Sequence, residues 1–214
     1  MTGRVSSDLR LLHGVIFVLL LGGALLIPPL RRWPWIWLAP FIGYFVIVAG
    51  IPRLRQSMCW LRFGNVTLKW SLITVVLMIL TSAALVTFHL AVRPEVTEFR
   101  GAFPFEVMGG VVTAGIIFSL VNATLEEWIF RGILFDALHS QWSGAVTVAA
   151  TSILFGLGHS RGYPPGLLGV GLAMLFGVTT GMLRLWTGGL ALPIALHIVA
   201  DATIYSLLMQ SDSA

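Results

Sequence analysis

Stretches of about twenty apolar residues recur along the whole chain, and no other feature limits its fold as much. A helix needs roughly 20 such residues to cross the hydrocarbon core of a bilayer. Runs of this kind occupy residues 11–30, 34–50, 71–92, 108–138, 143–158, 166–185 and 190–209. They predict about seven spans and leave no room for a soluble domain. Only 10% of the residues are charged and 57% are hydrophobic, whereas a soluble domain is about one quarter charged. That deficit excludes a water-soluble enzyme, a nucleic-acid binder and a disordered chain. The expected fold is all-α, a polytopic transmembrane helical bundle, because backbone in lipid must satisfy its own hydrogen bonds.

The net charge of +4 rests on arginine, with Lys69 the single lysine. On so apolar a chain this excess reads as loop charge that sets topology. Arg4 and Arg10 precede the first apolar run as in a secretory signal, but Pro28, Pro29, Arg31 and Arg32 come after it. An uncleaved first span is the expectation. The most basic loop, 52–70, should be cytoplasmic, with 58–63 in the interface and Trp60 and Arg62 as anchors. Trp33, Trp35 and Trp37 read as an aromatic belt. The one cysteine, Cys59, excludes an intrachain disulfide and a Cys-rich metal site. The expected organisation is one membrane domain: N-terminal spans over 1–110, and a core over 111–207 that holds the chemistry.

That division reflects where the ionisable groups lie. Within the spans of the first hundred residues only His89, near a helix end, stands out; His13 and His139 read as interfacial. Later, three clusters interrupt the apolar pattern: Glu126-Glu127-Trp128-Ile129-Phe130-Arg131, Phe155-Gly156-Leu157-Gly158-His159 and His197-Ile198-Val199-Ala200-Asp201. A charge at the bilayer centre costs at least about 2.5–3.5 kcal/mol on insertion scales, so such groups stay when paired, hydrated or useful. Glu127 and Arg131, four apart, share a helix face and can pair; the bland reading makes them solvated charges of an interfacial helix. Glu126 points about 100° away, into an apolar stretch, where a carboxylate suits general-base work. His159 gains weight from the glycines beside it and from Gly162, Pro164 and Pro165 after it, since irregular backbone at membrane depth lines cavities. His197 and Asp201 share one face of the last span, as helix–helix glue or as a working pair. In an alternating topology the three clusters can meet round one polar cavity.

The inventory narrows the chemistry. A Gly-x-Ser-Gly stretch and a His-Glu-x-x-His zinc signature are missing, and Asp201 is the one aspartate deep in a span. Glu126 with two histidines suits either of two schemes. Glu126 deprotonates a water that attacks an amide, with His159 assisting; or zinc is held by His159, His197 and Glu126.

EEWIFR fits Glu-Glu-x-x-x-Arg, FGLGH fits Phe-x-x-x-His, and HIVAD fits His-x-x-x-Asn/Asp, in that order. On these motifs the stretch 111–207 resembles the CPBP (ABI) family, the membrane proteins that include type II CAAX prenyl endopeptidases of the Ras-converting type and bacteriocin-processing or immunity relatives. The resemblance implies an intramembrane endopeptidase of glutamate type, a hydrolase acting without a metal on a membrane-associated protein or peptide. By it Glu126 activates water, His159 assists, His197 and Asp201 line the oxyanion side, and Glu127 and Arg131 support them. The prenyl-protein enzymes commonly carry Asn where this chain has Asp201. An ionised Asp cannot donate to an oxyanion, so Asp201 is protonated or orients His197 instead. The alternative function is a non-catalytic immunity or accessory protein that binds a partner through the same cavity; a proton-coupled transporter is a third, without the inverted repeat many such folds carry. The arginine-rich composition points to a bacterial plasma membrane as the setting, with the lipid bilayer as partner and no nucleic acid.

Overall fold

A computed structural model describes residues 7–101 and 109–210. Arg4 and Met108, which bear on the expected topology and the fourth span, lie outside them. The described residues form helices joined by short turns, without a strand. The helices are α1 Ser7–Leu26, α2 Trp35–Gly50, α3 Pro52–Ser57, α4 Leu68–Val92, α5 Thr97–Gly101, α6 Val111–Glu127, α7 Phe135–His139, α8 Gly144–Gly158, α9 Gly166–Thr187 and α10 Ala191–Gln210. A π-helical segment, Trp128–Leu134, fuses α6 to α7. By length and composition five helices can cross a membrane, and α2 and α8 are shorter apolar helices. The protein is an integral, multi-pass membrane protein.

Local chemistry sets the helix ends. Pro28 and Pro29 stop α1 at Leu26, short of the expected residue 30, because proline lacks the N–H a continuing helix needs. Thr67 and Ser143 cap α4 and α8 by accepting a backbone N–H at their N-termini. Gly188, at φ 70°, ends α9 in the left-handed conformation and returns its N–H to Arg184.

Helix α10 is the hub, packed on α4, α6 and α9, while α8 lies along α9 and α1 lies against α2 and α7. The α8–α9 contact is close because Gly156 faces Met174 and Val170, and Gly177 faces Ser152. Small residues that let helix backbones approach are the usual device in lipid, where apolar burial alone does not drive association.

The structure corrects three expectations about the first hundred residues. Trp60 is no interfacial anchor: it is 1% exposed, in a core cluster with Phe17, Phe41, Tyr44 and Ile129, whereas Leu61, Arg62 and Phe63 are exposed. The chain here folds back against the turn before α10, with Leu190 N donating to Arg62 O (2.9 Å), Ala191 N to Phe63 O (3.1 Å) and Asn65 N to Thr187 O (2.8 Å). His13 is not interfacial. Ser57 Oγ spends its proton on Leu54 O, so His13 Nε2 donates to Ser57 Oγ (2.9 Å). Nδ1 then accepts from Tyr44 OH (2.7 Å), which in turn accepts from Trp60 Nε1 (2.8 Å). Each donor in this buried chain has an acceptor, as burial demands. Arg10, too, lies inside α1 and grips Asp136 of α7 through two hydrogen bonds (2.8 and 2.6 Å).

Gly132 leaves the room that the Trp60 ring fills. A Cβ there would stand 2.6 Å from Trp60 Cε3, whereas one at Gly171 would meet nothing within 4 Å. Gly132→Ala should therefore lower stability by about 1–3 kcal/mol. Thermal unfolding in detergent, with Gly171→Ala as the control for helix propensity, measures it.

Candidate active site

The three polar clusters converge. Glu126 and Glu127 end α6, Arg131 lies in the π-helical segment, His159 comes just after the last turn of α8, and His197 and Asp201 lie on α10. A π-turn inserts an extra residue into the helix and re-aims the residues beyond it. Arg131 lies within this segment and faces inward with Glu126 and Glu127.

The solvated interfacial reading of Glu127 and Arg131 is overturned, since both side chains are 0% exposed. Arg131 Nη1 stands 3.3 Å from Glu127 Oε1, the pairing expected from their spacing. Its Nη2 donates to Gly177 O (3.1 Å), and its guanidinium lies 4.5 Å from the centre of the Phe155 ring. The stabilising face of that ring partly replaces lost water. Arg184, also buried, donates from Nε to Arg131 O (2.9 Å) and from Nη2 to Trp60 O (3.3 Å). Backbone carbonyls of the π-helical segment and of the 58–63 stretch are thus satisfied from α9.

The hydrogen bonds fix both imidazoles. His159 Nδ1 faces Phe155 O at 2.8 Å, and a carbonyl can only accept, so Nδ1 carries the proton. His197 Nδ1 likewise faces Glu127 Oε1 at 2.8 Å. Each ring therefore turns Nε2 the same way, and both Nε2 atoms stand 3.7 Å from Glu126 Oε2. Asp201 Oδ1 is 3.6 Å from His197 Nε2. Glu126 is 4% exposed, yet its Oε2 makes no hydrogen bond to any described residue. Phe155 stacks against His159 (4.2 Å between ring centres) and meets His197 edge-on (5.8 Å), so the aromatic residue of the second motif holds both rings in place.

A cleft of about 280 Å³ reaches this cluster between α4, α9 and α10. Its walls are apolar, with Leu77, Leu80, Leu172 and Leu175 among them, and its polar floor includes His159, His197 and Asp201. At the mouth Tyr163 hydrogen-bonds His89 Nδ1 (2.7 Å). Burial pushes the Tyr163 phenol up to about 12, so it holds its proton at neutral pH and can donate that bond.

Zinc was the other cofactor expectation. Among the described residues no group of three His, Cys, Asp or Glu side chains has the arrangement of a metal site. Two contributors are not apparent from the motifs. Asn122 donates from Nδ2 to Asp201 Oδ2 (3.1 Å), and Trp33 donates from Nε1 to Asn122 Oδ1 (3.1 Å). Asn122 was findable in the sequence, being one helical turn before Glu126. Trp33 was not, because its type and position match a membrane-interface tryptophan; of the three belt residues only Trp35, 50% exposed, keeps an outward place.

Removing one partner of a buried ion pair costs about 3–5 kcal/mol, because the other charge is left uncompensated. Arg131→Met should cause a loss of that size, and adding Glu127→Gln should recover part of it. The yield and melting temperature of detergent-extracted protein test both.

A family model matches the part of the chain that carries this cluster. Residues 108–203 match the family described as type II CAAX prenyl endopeptidase Rce1-like. An uncharacterised 24.3 kDa protein of Escherichia coli is 36% identical over 85 residues, which are 39% of this chain and 37% of that relative. The match thus spans little more than a third of the relative's length. No solved structure matches. Over residues 108–203, the segment that carries all three motifs, this chain is similar to the type II CAAX prenyl endopeptidase Rce1-like family.

Proposed function

We propose that the protein is an intramembrane endopeptidase that hydrolyses a peptide bond of a membrane-associated protein or peptide. The family match supports a CAAX-type membrane protease in general. The observation that carries the finer reading is the approach of two imidazole Nε2 atoms to one buried carboxylate oxygen, each at 3.7 Å. That distance is too long for a direct hydrogen bond and suits groups that share one water.

In this reading Glu126 takes a proton from the water as its oxygen attacks the scissile carbonyl carbon. The oxyanion that forms is met by His159 or His197 as an imidazolium, whose Nε2–H adds to the Nδ1–H that is already engaged. Collapse breaks the C–N bond, and Glu126 passes its proton to the departing amine; one water and one amide become one acid and one amine. Glu127 holds His197 through Nδ1 and Arg131 holds Glu127, so the donor aimed at the oxyanion is fixed before substrate arrives. Asp201 accepts from Asn122 and faces His197, which suits orientation rather than donation to the oxyanion. The apolar cleft walls fit a substrate arriving from the bilayer side.

The decisive experiment compares membrane-protein termini by mass spectrometry in cells making the native chain or Glu126→Gln. New termini should appear only with the native chain, and His159→Ala should behave as Glu126→Gln does, at unchanged protein levels. Identical termini in all three would favour a non-catalytic partner-binding protein. Cleavage by the purified protein should persist in chelator; its loss, with stoichiometric zinc on metal analysis, would favour the zinc scheme.

A further inference from the structure

We propose that Trp33 is a positioning residue for this site, acting through Asn122 on Asp201 and so on His197; the proposal rests on the hydrolytic reading above. Trp33 lies outside the three motifs and outside the family-matched segment 108–203. It comes from the turn before α2, and its ring packs against Phe118 of α6 (5.5 Å between centres).

An indole N–H is a donor only, so the Asn122 atom facing that of Trp33 at 3.1 Å must be the carbonyl oxygen Oδ1. The two ends of an amide are chemically opposite, so that contact turns Nδ2 to the other side, where it donates to Asp201 Oδ2 at 3.1 Å. With Oδ2 engaged, Oδ1 is the oxygen directed at His197 Nε2, 3.6 Å away. Asn122 lies one helical turn before Glu126, and Asp201 one turn after His197. Trp33 therefore supplies one of the two hydrogen bonds that fix a buried amide next to the reacting groups. Without its N–H, Asn122 Oδ1 loses that donor and the bond to Asp201 Oδ2 alone holds the amide. Asn122 and Asp201 can then shift together, and His197 loses the fixed position of one of the two groups that aim it. A tie serving only as helix–helix glue would change how much protein folds, not what each folded molecule does.

The test reads the rate at which Glu126-dependent membrane-protein termini appear in cells. Beside it are read the ring nitrogen shifts of His197 in detergent-solubilised protein labelled with 15N-histidine. Trp33→Phe should slow the termini about tenfold at unchanged protein level and move the His197 shifts; Trp35→Phe should do neither. The reversed pair, Asn122→Asp with Asp201→Asn, keeps a donor–acceptor match along the tie. It should restore most of the rate that Asn122→Asp alone removes, which keeps the proposal testable where Trp33→Phe accumulates poorly. A native rate per molecule in Trp33→Phe, unmoved His197 shifts, or no rescue by the reversed pair would overturn the proposal while Glu126→Gln stays inactive. Termini that persist in Glu126→Gln would bring down the hydrolytic reading and this one with it.

Discussion

Three acids, one guanidinium and two imidazoles are packed where the chain offers almost nothing but hydrocarbon. Glu126, Glu127, Arg131, His197 and Asp201 are all buried. Each charge costs several kcal/mol at such depth unless another group meets it. That constraint shapes the rest of the bundle. Gly177 and Gly156 bring α9 and α8 close enough for a backbone carbonyl and the Phe155 ring to meet the guanidinium. Glu127 serves Arg131 on one side and His197 on the other through a single oxygen. Glu126 Oε2 makes no hydrogen bond to any described residue and faces the two imidazoles at 3.7 Å, although Glu126 shares the sequence doublet with Glu127. The two carboxylates are thus separated in role by their neighbours and not by their chemistry.

Much of this is legible in the sequence, and for a clear reason. Charge in a membrane span is so unfavourable that any that remains announces itself, so Glu126, His159, His197 and Asp201 stand out against the apolar background. The spans are legible through their length. Groups whose residue type is ordinary in a membrane protein stay hidden. Trp60 and Trp33 carry no charge and sit beside basic loops, where tryptophan is an expected interface residue. Only the fold shows that one is sealed under Gly132 and the other points at Asn122. His13 is hidden by its place near a helix end, and its partners Tyr44, Ser57 and Trp60 come together only through tertiary packing. The burial of Arg131 is obscured in a further way. Spacing on a regular helix predicts the pair with Glu127, but not the π-helical segment that holds Arg131 nor the burial of both side chains.

These hidden contacts change how the two parts of the chain relate. The motifs lie entirely in the second part, and the family match begins only at residue 108. Yet the helix that carries Glu126 and Glu127, with its π-helical continuation, is held from the first part at several points, two of them tryptophans. Trp33 reaches it at Asn122, and Trp60 packs at Gly132 while its backbone carbonyl accepts from Arg184. About ten residues of helix, roughly 15 Å, separate these two contacts, and Glu126 lies between them. A carboxylate acting on a shared water must be held to within a fraction of an ångström to be effective. In the hydrolytic reading proposed above, contacts on both sides of Glu126 would supply that precision, and the tryptophans add no charge to the membrane interior. The first part of the chain packs directly on the helix that carries the first motif.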